Sequence, residues 1–428
     1  MKFGLIGKRL NYSYSKIIHN KFGYDYDLYE VPENEFKSFI YNSDLDGYNV
    51  TVPYKAEVIK YLDYIEPRAK AIGSVNTVIV RGGKRYGYNT DYYGFMNTLL
   101  KAKAKGLDFN DKTALVFGTG ATSKTAEYAL ETLGAKVFVA GRTSKINYDN
   151  VYSLFGSSAG ILVNATPVGT YPDTGFSPVD VKKFKAVKAV FDMTYNPLLT
   201  KFMYDAWQRY GDTVMLENGL NMLVYQAVYA EELFDLPDPP EKTNMLSGDI
   251  LKAEEEIKNI RKDILNITLI GMPGSGKSVI GRRLAELLGK DFADTDEEVL
   301  KRTGKTPEEL IISGETEKFR KVEEEILKDF GKEQNRIIST GGGAVEREAN
   351  GFYIKQNSFV VYIKRDINRL DLRGRPLSPD TESAKNLFGK RKKLYEKYAD
   401  YTADNNNDTE ITVREIIKAY EIFSAERT

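Results

Sequence analysis

The sequence predicts an α/β protein, built from parallel sheets with helices between their strands. Short apolar runs alternate with helical patterns along the chain, which favours this architecture. Two glycine-rich segments, at 116–126 and 271–278, each follow an apolar strand and open a helix, as phosphate-binding loops do. At 428 residues the chain exceeds one ordinary core, and its length predicts about three domains.

Composition narrows the class of protein. The 61 Lys and Arg residues balance the 61 Asp and Glu residues, so no overall charge favours nucleic acid or an anionic membrane. The absence of Cys and the single His exclude disulfides, thiolate catalysis and His-rich metal sites. No apolar run reaches about 18 residues, and the N-terminus has no signal-peptide core. We therefore expect a cytoplasmic protein with small-molecule partners, no nucleic acid and no membrane contact; the oligomeric state stays open, a homo-oligomer included.

The predicted strands follow one another in two groups before the second glycine-rich loop. The first group is KFGLIG, DGYNVTVP and VNTVIV, and the second is TALVFGTG, KVFVAGR, GILVNAT and AVFDMT, with helices between them. The spacing of the second group is typical of a doubly wound sheet. An apolar-periodic helix is predicted at 220–235, and the prolines of 236–244 end it. A charged amphipathic helix follows, with Ser247 or Asp249 as its N-cap.

The first glycine-rich loop predicts a dinucleotide site. Gly118, Gly120 and Ser123 occupy the three glycine positions of the fingerprint between a strand and a helix. The next strand ends in Arg142 and Thr143, with no Asp or Glu to accept the ribose hydroxyls. A cation at this place suits a 2′-phosphate, so NADP(H) is predicted over NAD(H). Without the glycines, Arg142 would be interpreted as an exposed loop residue.

Lys55 and Asp91 are candidates for proton transfer. Lys55 ends the stretch GYNVTVPYK, and Asp91 lies in GYNTDYYGF. Hydride exchange with a hydroxyl carbon needs a group that moves the hydroxyl proton, and lysine is the natural candidate in a chain with one His. A lysine more often lies on the surface. The polar residues placed among these apolar strand residues favour the catalytic interpretation, because such groups usually serve a ligand.

The second glycine-rich loop predicts an ATP site. Gly271, Gly276, Lys277 and Ser278 fit G-x-x-x-x-G-K-[ST] between the strand NITLI and a helix. In such loops backbone N–H groups converge on phosphate oxygens, and the helix N-terminus adds its positive dipole. Lys277 is predicted to bridge the β- and γ-phosphates, and Ser278 is predicted to ligate Mg²⁺.

Charged residues after this loop indicate an acceptor that carries a carboxylate. Asp294 and Asp296 stand two apart at a predicted strand end, so we expect both carboxylates on one face, one at the metal and one at an acceptor hydroxyl. Arg320 lies beside the apolar stripe of a helix, where Glu323 can orient it and its fork can grip a carboxylate. Taken alone, these features also fit a surface turn and a surface ion pair. The glycines of STGGGAV predict close contact between backbone and ligand.

The motifs GMPGSGKS, DTD, FRKVE, GGGAV, RPL and KRKKLY, in this order within 266–428, resemble those of shikimate kinases. The resemblance implies a P-loop kinase domain with a parallel sheet, Asp294 near Mg²⁺ and Asp296 on the shikimate 3-hydroxyl. It implies Arg375 as a lid arginine that reaches both substrates, in a lid segment unusually short for the family. It assigns the carboxylate side of the acceptor to Arg320, Gly342, Gly343 and Arg391, and the nucleotide to Gly274, Gly276, Lys277, Ser278 and Arg373, the last near adenine.

The motifs YSYSKIIHN, NVTVPYK, GSVNTV, GYNTD, NATPVG, DMTYNPLLT and NGLNMLVYQA resemble those of shikimate dehydrogenases. The resemblance implies Lys55 and Asp91 as the catalytic pair. It implies substrate contacts from Ser13, Ser15, Thr51, Asn76, Tyr195 and Gln226, and cofactor contacts from Gly118, Gly120, Ala121, Arg142, Thr143 and Gly219. The sequence departs from the family pattern at Arg9 and Lys16, which replace prolines, at Ala121, which replaces a glycine, and at Asn218, whose role stays open. For His19 we expect helix packing or capping.

Together the two resemblances imply a fused bifunctional enzyme of aromatic amino-acid biosynthesis. The predicted domains are a substrate-binding α/β domain at 1–91 and 219–262, an NADP-binding Rossmann domain at 92–218, and a P-loop kinase at 263–428. The predicted reactions are reduction of 3-dehydroshikimate with NADPH, then phosphorylation of shikimate by ATP with Mg²⁺. Two alternatives stay open: a quinate-using dehydrogenase fused to a kinase for another small hydroxy compound, and a ligand-sensing protein with one inactive half. The intact catalytic residues argue against the second alternative.

Overall fold

The computed structural model describes residues 1–10, 13–237, 247–373, 377 and 380–426. The chain forms two compact units, Met1–Ile257 and Lys258–Thr428. The division between them lies a few residues before the predicted start of the kinase at 263, and the finer domain boundaries stay predictions. No helix in the described ranges is long and apolar enough to cross a membrane.

The first unit opens with a mixed six-stranded sheet. Its order is β2-β1-β3-β5-β6-β4, with the strands β1 Lys2–Gly7, β2 Asp25–Glu30, β3 Gly47–Val50, β4 Tyr64–Ile65, β5 Thr77–Arg81 and β6 Lys84–Tyr88. β1 is parallel to β2 and β3, whereas β5 is antiparallel to both β3 and β6. The expectation of parallel strands holds for β1 with β2 and β3 and for β4 with β6, and it fails for the two pairings of β5. Gly82 and Gly83, both at positive φ, close a tight hairpin between β5 and β6, and such a hairpin joins antiparallel strands.

A second sheet of the first unit is parallel throughout, as the sequence predicts. Its order is β11-β10-β9-β7-β8, with β7 Thr113–Phe117, β8 Lys136–Ala140, β9 Ala159–Asn164, β10 Ala189–Asp192 and β11 Met215–Glu217. Buried residues of β7, β9 and β10 form the core with the helices that cover the sheet. The strand order reverses between β7 and β9, so a crevice opens at their carboxyl ends, where open α/β sheets bind ligands.

Nine helices of the described residues belong to this unit or begin in it: α1 Ser15–Lys21, α2 Phe36–Asn42, α3 Pro67–Ile72, α4 Thr90–Ala104, α5 Ala121–Thr132, α6 Val151–Phe155, α7 Lys201–Tyr210, α8 Gly219–Asp235 and α9 Ile250–Ile264. Asp249 caps α9 by accepting a hydrogen bond from the Lys252 backbone, which confirms one of the two predicted caps. Asn218 caps α8: its Oδ1 accepts from the Leu220 backbone, and its Nδ2 donates to the Leu198 carbonyl. Asn218, whose role the sequence leaves open, therefore has a structural role as a helix cap.

The second unit has one parallel sheet of order β13-β14-β12-β15-β16, as predicted. Its strands are β12 Asn266–Ile270, β13 Asp291–Asp294, β14 Arg336–Ser339, β15 Ser358–Lys364 and β16 Tyr401–Asp404. Its helices are α10 Lys277–Leu288, α11 Thr295–Thr303, α12 Pro307–Ile312, α13 Thr316–Lys332, α14 Glu348–Lys355, α15 Thr381–Tyr398 and α16 Thr409–Glu426. The central position of β12 places the loop 271–276 in the middle of the carboxyl edge of the sheet.

Residues of the second unit hold the C-terminal end of α9. Lys290 Nζ donates to the carbonyls of Lys262 and Leu265, each at 3.1 Å. The Tyr420 hydroxyl also donates to the Lys262 carbonyl, at 2.6 Å. Burial lowers the pKa of Lys290 to about 8. Side-chain donors at a helix C-terminus satisfy carbonyls that have no partner inside the helix.

Two candidate active sites

A cavity of about 510 Å³ in the first unit contains every residue that the sequence assigns there to substrate and catalysis. These residues come from the start of α1 and the residues before it, the segment after β3, the residue before β5, the start of α4, the segment before α7 and the helix α8. The cavity is lined by Ser13, Ser15, Thr51, Lys55, Asn76, Asp91, Tyr195 and Gln226, with Leu5, Arg9, Leu10, Asn49, Val50 and Leu223. The fold therefore brings together side chains that are far apart in the sequence.

Lys55 and Asp91 form an ion pair in this cavity. Lys55 Nζ lies 2.6 Å from Asp91 Oδ2, and the two side chains are only 12% and 9% exposed. Asp91 lies in the first turn of α4, where a carboxylate is favoured by the helix dipole. A carboxylate this close fixes the ammonium in place, so the lysine can exchange a proton with a ligand at a defined position.

Asn76, the residue just before β5, bonds to polar residues of α4 and α8. Asn76 Nδ2 donates to Thr90 Oγ1 at 2.9 Å and to Gln226 Oε1 at 3.3 Å. Asn76 Oδ1 accepts from the Thr90 backbone at 2.6 Å. These bonds hold the amide groups of Asn76 and Gln226 in place on the wall of the cavity.

Hydroxyl groups line another part of the wall. Ser13 Oγ accepts a hydrogen bond from the Ser15 backbone at 3.2 Å. Burial raises the pKa of Tyr195, and hydrogen bonds with the Tyr14 backbone and the Ser13 side chain oppose that rise. The Tyr195 phenol therefore stays protonated at neutral pH and can donate to a ligand.

Two polar lining residues, Arg9 and Asn49, received no role from the sequence. Arg9 was noted only for replacing a proline, and Asn49 only as part of a motif. Asn49 is buried; it accepts from the Tyr26 hydroxyl at 2.7 Å and donates to Thr77 Oγ1 at 2.9 Å. The sequence does contain a signal for Asn49, because a polar residue inside the apolar strand β3 indicates a group that serves a ligand or a hydrogen bond.

The loop after β7 makes a tight turn before a helix N-terminus, at the place where the sequence predicts a dinucleotide phosphate. Gly118 has φ +117°, and a side chain there would come within 3.0 Å of the Ala165 carbonyl at the end of β9. Ser123 Oγ donates to the Gly118 carbonyl at 2.7 Å, so a serine at the third fingerprint position closes the turn. Gly120 precedes α5 and has open space where a side chain would stand, which leaves the helix N-terminus accessible together with Ala121.

The remaining cofactor residues lie at two places. Arg142 and Thr143 are exposed just after β8, next to β7 in the sheet. Gly219 starts α8, and a side chain there would come within 2.2 Å of the Met193 carbonyl. The glycine is therefore needed for close packing of the backbone. The donor set around the β7 loop fits a phosphorylated dinucleotide.

A second cavity, of about 410 Å³, lies in the second unit. It brings together both predicted metal ligands and all predicted acceptor residues: Ser278, Asp294, Asp296, Arg320, Gly342, Gly343 and Arg391. Residues of α11, α12 and α13 and the loop after β12 also line it, among them Leu300, Ile311, Phe319 and Pro273. Arg375, the predicted lid arginine, lies outside the described residues.

Asp294 and Asp296 are not on one face of a strand, so that expectation is wrong. Asp294 ends β13, whereas Asp296 lies in the first turn of α11, because Asp294 Oδ1 caps this helix by accepting from the Asp296 backbone at 2.9 Å. Both carboxylates nevertheless line the cavity. Asp294 Oδ2 accepts from Ser278 Oγ at 2.7 Å, so a hydroxyl and a carboxylate meet beside the loop. These are oxygen ligands of the kind that Mg²⁺ prefers.

Three consecutive glycines, at 341–343, allow the wall of the second cavity to pack tightly. A side chain on Gly343 would come within 2.2 Å of Arg320 Nη2, and one on Gly342 within 2.5 Å of Pro273. A side chain on Gly341 would come within 2.6 Å of Glu323 Oε1. The three glycines therefore make room for side chains of this unit, in addition to exposing backbone to the cavity.

Two acidic residues hold Arg320 and Arg391, the arginines of the predicted acceptor site. Arg320 Nη1 donates to Glu323 Oε2 at 2.6 Å, as the sequence predicts for their spacing. Burial raises the pKa of Glu323, and the Arg320 guanidinium opposes that rise. Glu346 accepts from Arg391 Nε at 3.1 Å and from Arg320 Nη2 at 3.4 Å. Sequence reasoning missed Glu346, because its partners are distant in the chain.

The nucleotide residues of the loop lie at the start of α10. Gly274 and Gly276 have φ of +75° and +97°, and Lys277 Nζ donates to the carbonyls of Gly271 and Met272 at 3.0 and 2.9 Å. Arg373, expected near adenine, is 92% exposed and pairs with Asp371. Its role at the nucleotide stays a prediction.

Comparison with known proteins supplies the family. Shikimate dehydrogenase (NADP(+)) from Clostridium perfringens (strain SM101 / Type A) is 39% identical over 255 residues, which are 54% of this chain and 92% of that protein. The chain belongs to the shikimate dehydrogenase family. The family described as shikimate dehydrogenase substrate binding domain matches residues 5–78.

Two crystal structures resemble the dehydrogenase part. Shikimate dehydrogenase 1 from Peptoclostridium difficile shares 34% identity at a TM-score of 0.50, over 57% of this chain and 94% of that one. A chorismate mutase/shikimate 5-dehydrogenase fusion protein from Clostridium acetobutylicum shares 32% identity at a TM-score of 0.52, over 61% and 97%. The family described as shikimate kinase matches residues 273–421. A shikimate dehydrogenase part and a shikimate kinase domain thus lie in the same chain, and the predicted fusion is confirmed.

Proposed function

We propose that the chain catalyses two consecutive reactions: NADPH-dependent reduction of 3-dehydroshikimate to shikimate, and ATP-dependent phosphorylation of the shikimate 3-hydroxyl. The observation that carries the proposal is the presence, in one chain, of a cavity with the Lys55–Asp91 pair and of a second cavity where Asp296 lies with two arginines beside a P-loop. The proposal includes the domain boundaries 1–91 with 219–262, 92–218 and 263–428, the cofactor Mg²⁺ and a cytoplasmic location.

In the reduction, NADPH bound at the β7 loop supplies the hydride. Lys55 donates a proton to the carbonyl oxygen as that oxygen becomes a hydroxyl, and Asp91 stabilises the ammonium before the transfer. In the reverse direction neutral Lys55 accepts the hydroxyl proton. Asn76, Gln226 and Thr51 would hold substrate hydroxyls, while Ser13, Ser15 and Tyr195 would hold the carboxylate.

In the phosphorylation, ATP with Mg²⁺ supplies the phosphoryl group, and Ser278 with Asp294 would hold the metal. Asp296 accepts a hydrogen bond from the shikimate 3-hydroxyl and orients its oxygen for in-line attack. Arg320 and Arg391 bind the carboxylate of the acceptor, with the backbone of Gly342 and Gly343 beside it. Lys277 stabilises the negative charge of the phosphates.

One experiment separates the two activities. The protein is given 3-dehydroshikimate, NADPH and ATP with Mg²⁺, and NADPH loss and ADP release are followed separately. We expect Lys55→Ala to abolish NADPH consumption while shikimate-dependent ADP release persists, and Lys277→Ala to do the reverse. A wild-type protein that released no ADP with shikimate would contradict the kinase assignment. Faster oxidation of quinate than of shikimate with NADP⁺ would favour a quinate-using dehydrogenase.

A further inference from the structure

Arg9 is a charged lining residue of the dehydrogenase cavity that has no described partner. The lining contains three charged side chains, Arg9, Lys55 and Asp91. Lys55 and Asp91 neutralise each other in their ion pair. Within the described residues, no hydrogen bond or ion pair joins the Arg9 guanidinium to another group. The unpaired positive charge of the lining therefore lies on Arg9, whose side chain is also exposed to solvent.

The two chain neighbours of Arg9 each bind a nearby carboxylate. Lys8 Nζ pairs with Glu33 at 2.7 Å, and the Leu10 backbone donates to Glu30 Oε1 at 2.7 Å. Arg9 lies between these two residues and pairs with neither carboxylate. A guanidinium with five N–H donors and no acidic partner at the wall of a cavity is suited to bind an anion.

Arg9 also lies close in the chain to the hydroxyl part of the wall. The Ser13 backbone donates to the Leu10 carbonyl at 3.0 Å, which draws Ser13 back towards the residue after Arg9. Ser13, Ser15 and Tyr195 line the same cavity and offer neutral donors. A guanidinium beside hydroxyl donors forms a binding set for a carboxylate, because charge-assisted hydrogen bonds are about twice as strong as neutral ones.

We infer that Arg9 binds the carboxylate of the substrate and makes the dehydrogenase cavity selective for an anionic ring compound over its neutral analogue. The inference rests on the proposed dehydrogenase function. Arg9 takes no part in proton or hydride transfer, so its effect falls on substrate binding and on discrimination between charged and neutral substrates.

The test compares Arg9→Ala and Arg9→Lys with the control Lys8→Ala in the full chain. Lys8 is the neighbouring cation, but it pairs with Glu33 and does not line the cavity. With NADPH and 3-dehydroshikimate, we expect Arg9→Ala to raise KM roughly tenfold or more, with a smaller change in kcat. Arg9→Lys retains most of the affinity, and Lys8→Ala matches the wild type. The KM of Arg9→Ala also depends less on ionic strength than that of the wild type.

A second readout uses the oxidation of shikimate and of its neutral carboxamide with NADP⁺. The wild type prefers the acid, and Arg9→Ala reduces this preference by about the factor by which it raises KM. An equal fall in kcat/KM for the acid and the amide would overturn the inference. An unchanged KM for 3-dehydroshikimate would also overturn it. The thermal midpoint reports whether each variant is folded, and ADP release with shikimate reports the amount of active second unit in each preparation. A wild type that does not reduce 3-dehydroshikimate would refute the proposed function itself, whereas wild-type turnover with an unaltered Arg9→Ala refutes the Arg9 inference alone.

Discussion

Glu323 holds Arg320 through a 2.6 Å ion pair in which the carboxylate is only 1% exposed and the guanidinium 11%. Both residues lie on α13, three positions apart. Removing one partner of a buried ion pair leaves the other charge uncompensated. Under the proposed function, the pair therefore links the affinity of the kinase for its acceptor to Glu323 as well as to Arg320.

Glu323→Gln should therefore weaken acceptor binding in the kinase. We expect the KM for shikimate to rise about tenfold, with a smaller change in kcat, since one charge-assisted hydrogen bond contributes about 1.5–3 kcal/mol. Steady-state ADP release measures the effect. Glu324→Gln is the matched control, because Glu324 is the next residue on α13 and pairs instead with Arg347. Equal KM values for the two variants would contradict the positioning role of Glu323.

Gly343→Ala should displace Arg320. The added methyl group would come within 2.2 Å of Arg320 Nη2, so the guanidinium must move and acceptor binding must weaken. We expect at least a tenfold rise in the KM for shikimate, roughly the loss of one charge-assisted contact. Gly389→Ala on α15 is the control, because a side chain there meets nothing within 4 Å. The control should keep wild-type kinetics, and a normal KM in Gly343→Ala would disprove the steric argument.

Asp91→Asn should impair the dehydrogenase alone. The amide cannot stabilise the Lys55 ammonium, so we expect kcat for NADPH oxidation to fall by about 100-fold or more, the usual contribution of acid–base catalysis. Shikimate-dependent ADP release should stay normal in the same preparation. Asp205→Asn removes a carboxylate from the Lys201 ion pair on α7 and serves as the control. A similar kcat for both variants would argue against a catalytic role of Asp91.

Arg142→Ala should reduce the preference for NADPH over NADH. Arg142 is exposed after β8, next to the β7 loop, where a 2′-phosphate would meet its guanidinium. We expect the ratio of kcat/KM for the two cofactors to fall roughly tenfold or more, because NADH lacks the phosphate. Lys136→Ala, at the other end of β8, should leave the ratio unchanged. A ratio that is the same in both variants would assign the phosphate contact to another residue.

His19 should make the first unit sensitive to acid. The imidazole is fully buried and stacks on Tyr26 with 4.2 Å between ring centroids, which agrees with the predicted packing role. Burial lowers the pKa of His19 to about 3, and the Lys252 charge adds to the effect. The unfolded chain therefore binds the proton first as the pH falls below about 6.5. Stability is fully present above that pH and decreases towards pH 3 by at most about 1.4 kcal/mol per pH unit.

Because His19 is the only histidine, its imidazole resonances in an NMR spectrum need no assignment. They should not titrate between pH 7 and about 4, since the folded pKa lies below this range. Denaturant unfolding at several pH values measures the loss of stability, and His19→Phe should flatten it. A titration midpoint near 6.5 in the folded protein would contradict the burial of His19.

The sequence predicts buried parallel strands better than the edges of the sheets. The strands β7, β9, β10 and β12 are continuous apolar runs, because both faces of a parallel sheet are covered. No apolar run marks the edge strands β2, β4 and β11: β4 and β11 are only two and three residues long, and charged residues interrupt β2. β6 was missed for the same compositional reason, although the glycine pair before it is a hairpin signal.

The sequence predicts those parts of the candidate sites whose interacting residues lie within one motif. The spacing of Arg320 and Glu323 on one helix was sufficient to foresee their contact. Glu346 could not be foreseen, because Arg391 and Arg320 reach it only through the fold of the whole unit. The geometry of Asp294 and Asp296 was misjudged, because the helix α11 begins directly after the strand and the capping bond turns the chain between them.

The hydrogen bonds at the end of α9 decide where the two enzymes can be separated. A kinase expressed alone from β12 would lose the Lys262 carbonyl, to which both Lys290 and Tyr420 donate. Each buried polar group left without its partner costs about 1–3 kcal/mol, so such a fragment would be weakened before any catalytic residue is touched. A cut before Lys258 retains these contacts. The last turns of a helix that the sequence assigns to the dehydrogenase are, for folding, part of the kinase.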